Sequence, residues 1–175
     1  MIFLQRLRQF LRGVFASSEI DYSRFSRGIA WVESRNGKYL RNPTSSASGK
    51  YQQLFTPSLQ KAVPELKNVG RTEFIDKPEL QELVFNRRFY DGFRFPDGRM
   101  HTTALLKDAK DLYNDYYERF YKFPYSHADL AALSYFLGRT GARRYLNGLI
   151  SGDFYSAPGI NLHPEIYLKK FREKY

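Results

Sequence analysis

One carboxylate and a polar loop hold the chemistry this sequence offers. Glu33 lies near the end of a predicted helix, in the stretch IAWVESRNGKYLRNPTSSASGKYQQLFT, residues 29–56. Ile29 shares its helical face four residues earlier, with Ala30 beside it. That spacing places Glu33 at the border between an apolar core and the loop that follows. Partial desolvation at such a border raises a carboxylic acid's pKa and keeps a fraction protonated near neutrality, which suits a proton donor. Ser46 and Gln52 bring a hydroxyl and an amide able to bond a polar ligand. Side chain to backbone bonds within the loop are their alternative use. Gly49 allows a positive φ or a close backbone approach, and Ser34 either caps the helix end or touches a ligand.

The elements that position these groups read as helix, loop, helix. Gly37 supplies the stop of the first helix. A run of turn-forming residues, Asn42 to Gly49, makes the loop. Thr56 and Pro57 restart a helix as N-cap and first-turn proline.

Glu33-Ser34, followed by Ser46-x-x-Gly49-x-x-Gln52 and then Thr56, resembles the signature of the lytic transglycosylases of the soluble-transglycosylase, lysozyme-like superfamily. Two later stretches follow in the family's order. LAALSYFLG, residues 130–138, resembles its Ala-x-Tyr-Asn-x-Gly motif with Tyr135 on the tyrosine, and HPEIYLKKF, residues 163–171, resembles its closing helix with Tyr167 on that helix's tyrosine. Phe136 departs from the pattern, standing where the family has asparagine. The resemblance implies a mainly α, lysozyme-like α+β domain over residues 17–175, with at most a small β-hairpin lining a substrate cleft. It implies peptidoglycan as substrate, cut between N-acetylmuramic acid and N-acetylglucosamine to leave 1,6-anhydromuramyl ends; hydrolysis, as in a muramidase, stays open. Glu33 is then the catalytic acid and base, and Ser34, Ser46, Gly49, Gln52, Tyr135 and Tyr167 are the candidate substrate-binding residues. Core packing with a satisfied hydroxyl is the alternative for each tyrosine. No second Asp or Glu lies between Glu33 and Gln52, which agrees with a scheme that needs one acid. Neither a cofactor nor a metal is implied.

Composition bounds the reading. The 175 residues are enough for one domain that buries about 70% of its unfolded surface. Cysteine is absent, which excludes disulfides and thiolate zinc sites. His101, His127 and His163 are widely spaced and form no HExxH pattern. Gly49-Lys50 lacks the rest of a phosphate-binding loop, and the glycines around Ser151 lack the spacing of a nucleophile elbow. The net charge of +10 favours anionic partners: the cell wall, nucleic acid or an anionic membrane. Arg139, Arg143, Arg144 and Tyr145 form a basic-aromatic cluster with nucleic-acid character, for which a solvated helix face is the favoured reading.

Residues 1–16 read as an amphipathic helix, with Leu4, Leu7, Leu11 and Val14 at helical spacing among arginines. It is too short to span a bilayer and too interrupted for a signal peptide. Packing on the domain is its first expectation, and docking on a membrane or a virion protein the second. Further on, Asp76 with Glu79 predicts a capping pair ahead of Leu80. Pro96-Asp97-Gly98 predicts a turn in a small hairpin or loop. Thr102 or Thr103 is expected to cap a long helix that ends at Pro124. Ser126 with Asp129 caps the next, broken at Gly138 and Gly141, and Pro164 starts the last. The setting expected is a phage virion that delivers the protein to the host envelope, or else a bacterial periplasm or cell wall. A degenerate lysozyme-like scaffold that holds DNA or membrane by charge is the rival function.

Overall fold

The computed structural model describes residues 20–152 and 162–175. The expected helix over residues 1–16 lies outside them, as do Pro158 and Gly159, whose residue types predict a loop ahead of Pro164. Among the described residues the protein is mainly helical, with two small antiparallel hairpins. The described residues divide into two compact units, one of Ser23–Leu105 with Lys169–Tyr175, the other drawn from 106–168 with residues 20–22.

The first unit holds α1 (Tyr22–Ser34), β1 (Ala47–Ser48), β2 (Gln53–Leu54), α2 (Pro57–Ala62), α3 (Arg71–Asp76), α4 (Pro78–Tyr90), β3 (Phe93–Arg94) and β4 (Met100–Thr102). β1 pairs with β2, and β3 with β4. One part of its core is aromatic. Phe25 of α1 packs against Phe85 and Phe89 of α4 and against Phe171, with ring centroids 5.0–6.2 Å apart. Tyr51 stacks flat on Phe85 at 3.9 Å. Gly28 permits this closure, because a Cβ there would meet the Phe171 ring at 2.7 Å. A second cluster gathers Leu59, Val63, Leu66, Phe74, Val84 and Phe93. Each fully buried side chain of this kind contributes about 1.5–3 kcal/mol through apolar surface removed from water.

Local signals set most of the element ends. Thr56 accepts the Leu59 N–H at 3.2 Å, with Pro57 in the first turn of α2. The first unit also corrects two expectations. Asp76 does not cap α4; it closes α3, and the residue ahead of α4 is Lys77, without a side-chain cap bond. Pro78 explains the shift, since the residue before a proline is pushed out of the helical region, and Lys77 lies at φ −113 and ψ 88. Neither Thr102 nor Thr103 directly precedes the long helix, because Thr102 is drawn into the β3–β4 pairing opposite Phe93 and the helix begins at Leu105.

The second unit is built on α5 (Leu105–Tyr116), α6 (His127–Ser151) and the first half of α7 (Pro164–Arg172). α5 ends at Tyr116 and passes into a short 3-10 turn, Tyr117–Arg119, well before Pro124. Ser126 and Asp129 form a complete capping box at the start of α6. Gly138 leaves the helical region at φ 69 and ψ 162, so α6 kinks there and continues through Gly141. Asp108, Asp111 and Asp115 repeat at helical spacing along α5. Arg139 reaches Asp111 at 2.7 Å and Asp108 at 3.6 Å, and Arg143 reaches Asp115 at 2.5 Å. Burial pushes Asp111 up, but bonds to Lys107 and the charge of Arg139 outweigh it and hold the carboxyl below its usual range.

Candidate functional site

Glu33 is half-buried one residue before the end of α1. The backbone turns sharply after it. Arg35 and Asn36 take left-handed φ values of 52 and 58, and the Asn36 N–H reaches back to the Ala30 carbonyl at 3.0 Å. Ser34 is buried and serves both the helix end and the loop. Its Oγ accepts the Gly37 N–H at 2.7 Å, and its hydroxyl lies 3.2 Å from the Ala30 carbonyl and 2.5 Å from that of Lys50. The last contact ties the residue beside Glu33 to the chain between Gly49 and Gln52, so two separated parts of the motif meet.

The loop is held from within and from behind. The Gly49 N–H donates to the Leu40 carbonyl at 2.7 Å, and the Phe55 N–H to the Ser46 carbonyl at 3.0 Å. Gln52 adopts φ 47, and its Nε2 donates to the carbonyls of Tyr39 and Gly49, both at 2.9 Å. Arg35, Asn36 and Gln52 are, among the described residues, the non-glycine residues with positive φ. All three flank Glu33 or sit in its loop, and backbone strain of this kind gathers at functional sites. The Ser46 hydroxyl and the Gln52 Oε1 make no hydrogen bond among the described residues, and both residues are half-buried. They are polar atoms that this loop can offer a ligand.

Two residues behind the loop were not legible as part of the site. Arg71, at the start of α3, donates from Nε to the Ser48 Oγ at 2.7 Å, and from Nη2 to the carbonyls of Asn42, Ser45 and Ala47 at 2.8–3.0 Å. Gln81 of α4 is buried. Its Oε1 accepts the Lys50 N–H at 2.6 Å, and its Nε2 donates to the carbonyls of Phe74 and Ile75 at 3.0 and 2.8 Å. A signal for Gln81 did exist in the sequence. It shares a helical face with Val84 and Arg88, all buried on α4, so it is a polar residue in a core-facing position. Lys50 and Tyr51 both bond the Glu82 carboxylate, at 2.8 and 2.7 Å.

Tyr135 and Tyr167 belong to the second unit. Tyr135 is half-buried on α6, and Tyr167 is buried and stacks on Phe136 with centroids 4.2 Å apart and planes 11° apart. Phe136, the departure from the asparagine pattern, is itself half-buried and packs flat against this buried ring. The basic cluster on α6 is largely engaged, since Arg139 and Arg143 pair with the aspartates of α5. In the same unit the hydroxyls of Tyr125 and Tyr145 both bond Glu165 Oε1. Burial, then the Glu165 and Tyr145 bonds, hold the Tyr125 phenol well above its usual range. Among the described residues no group of three or more His, Asp or Glu side chains is placed to hold a metal ion, and no helix is long and apolar enough to cross a membrane. Compared with protein-family profiles, curated proteins and solved structures, the chain matches none.

Proposed function

We propose that this protein is a peptidoglycan lytic transglycosylase that uses Glu33 as its single acid and base. The observation that carries the reading is the bond between Ser34 Oγ and the Lys50 carbonyl, which joins the Glu33 helix end to the Ser46–Gly49–Gln52 loop. The concentration of left-handed residues around the same carboxylate supports it.

In this scheme the Glu33 carboxyl gives its proton to the glycosidic oxygen between N-acetylmuramic acid and N-acetylglucosamine. The C1–O bond breaks, the N-acetylglucosamine side leaves as an alcohol, and an oxocarbenium-like centre develops on the muramyl ring. The Glu33 carboxylate then removes the proton of the muramyl C6 hydroxyl as its oxygen closes on C1. The product is a 1,6-anhydro ring, no water is consumed, and the acid is regenerated. A positioned acid and base of this kind contributes about 10²–10⁴ in rate. Ser46 and Gln52 are the substrate-bonding groups, with Ser34 and Gly49 shaping the loop. The test is turbidity loss of purified peptidoglycan: Glu33→Gln keeps the circular dichroism spectrum of the wild type and loses lysis, while persisting lysis removes Glu33 from the role.

The net charge of +10 favours a second reading, a basic scaffold that holds DNA or an anionic membrane. Salt-sensitive DNA binding by wild type and Glu33→Gln alike, with lysis by neither, selects it. Delivery to a host envelope in a phage virion is the setting we favour for a small basic wall-cleaving protein, and mass spectrometry of purified virions checks it.

A further inference from the structure

The structure assigns Arg71 and Gln81 a positioning role: together they brace the 42–52 loop from behind and set where its Ser46 and Gln52 groups stand relative to the Glu33 helix end. The inference rests on the wall-cleaving reading for its consequence, but its geometry stands apart from it.

Arg71 makes four bonds, and all four fall on the loop: three to backbone carbonyls and one to the Ser48 hydroxyl. Ser48 in turn sits in β1, and its own hydroxyl lies 2.9 Å from the Ser46 carbonyl. A planar guanidinium suits this use, because its donors point in fixed directions and gather several acceptors at once; an ammonium has no such fork. Gln81 braces the other end of the loop. It takes the Lys50 N–H on one side and returns two bonds to the last carbonyls of α3, so α3, α4 and the loop share one buried amide. The fit is close, since a Cβ on Gly49 would stand 2.7 Å from the Gln81 Oε1. Lys50, the residue whose N–H Gln81 holds, is also the residue whose carbonyl takes the Ser34 bond. The chain of contacts therefore runs from Gln81 through the Lys50 peptide to Ser34, next to Glu33. Neither Arg71 nor Gln81 needs to touch substrate to matter, because small misplacements around a reacting centre can lower a rate by about a hundredfold.

The experiment compares wild type, Arg71→Ala, Arg71→Lys, Gln81→Met and the control Arg87→Ala, which removes an exposed pair with Glu65. Amide hydrogen exchange is read across residues 42–52, and kcat and KM on soluble glycan strands. Loss of the brace should speed exchange in that loop at least about tenfold in Arg71→Ala and Gln81→Met, with α1 and α4 protected as before. It should lower kcat by about 10- to 100-fold, beyond any change in KM, and Arg71→Lys should fail to restore either readout. Arg87→Ala should match wild type in both. Unchanged loop exchange overturns the brace, and so does faster exchange with the kcat of the control. Wild type that releases no product overturns the wall-cleaving reading instead, and loop exchange then decides the brace alone.

Discussion

At Gly49 two constraints meet in one residue. Its φ of +78 lies where side chains are strained, and Gln81 leaves no room for a Cβ. Gly49→Ala should therefore destabilise the protein by about 1–3 kcal/mol, seen as a lower urea midpoint at unchanged slope. An unchanged midpoint would show that the loop can move away from Gln81 at no cost. Gln52 makes the complementary case. It holds a left-handed φ without being glycine, and its side-chain amide secures the carbonyls of Tyr39 and Gly49 while its Oε1 makes no hydrogen bond among the described residues. Of the two uses posed by the sequence, the Nε2 end of this amide takes loop support, which leaves the Oε1 end for the proposed ligand contact.

At the scale of elements, the β3–β4 hairpin carries a pH dependence. His101 of β4 is half-buried, with the Phe95 ring edge-on at 5.0 Å and the Thr102 hydroxyl 2.6 Å from its Nδ1. Burial, aided by the charge of Arg88, lowers its pKa below the ordinary 6.5. The unfolded chain then binds a proton at a pH where the folded one does not. Stability from this group is fully present above the unfolded value and is lost as pH falls toward the folded one. Thermal unfolding followed between about pH 7 and 5 should show a falling Tm in wild type and a shallower fall in His101→Gln. Equal slopes would place the acid sensitivity elsewhere.

Elements were legible where their signals are local. The Thr56 and Ser126 caps and the break at Gly138 each depend on neighbours within a few residues, and each appears where the sequence puts it; the first helix instead ends at Ser34, three residues ahead of the Gly37 expected to stop it, where Arg35 and Asn36 turn left-handed first. The Asp76 cap was misplaced because two competing local rules met there and the proline rule prevailed. The site was legible in part. Ser34 meets the Lys50 carbonyl and Gln52 bonds the Gly49 carbonyl, so the residue beside Glu33 and the loop ahead of Gln52 are tied together. Arg71 was out of reach, since its partners lie 23–29 residues away and no periodicity encodes such pairs; for Gln81 the core-facing position was readable, but its Lys50 partner, 31 residues away, was not.

For the molecule as a whole, charge and chemistry point to different tests. The +10 charge draws any polyanion, and salt weakens that attraction without revealing what the protein does to its partner. Part of the cationic surface is also committed internally, as the Arg139 and Arg143 pairs show. Cleavage chemistry leaves a covalent record that charge cannot imitate. The most direct measurement is mass analysis of the soluble products from a wild-type digest of purified peptidoglycan. A single-acid transglycosylase should release muropeptides with 1,6-anhydro ends, each one water lighter than its hydrolysed counterpart and missing from the Glu33→Gln digest. Reducing ends alone, or the same products from both proteins, would contradict it.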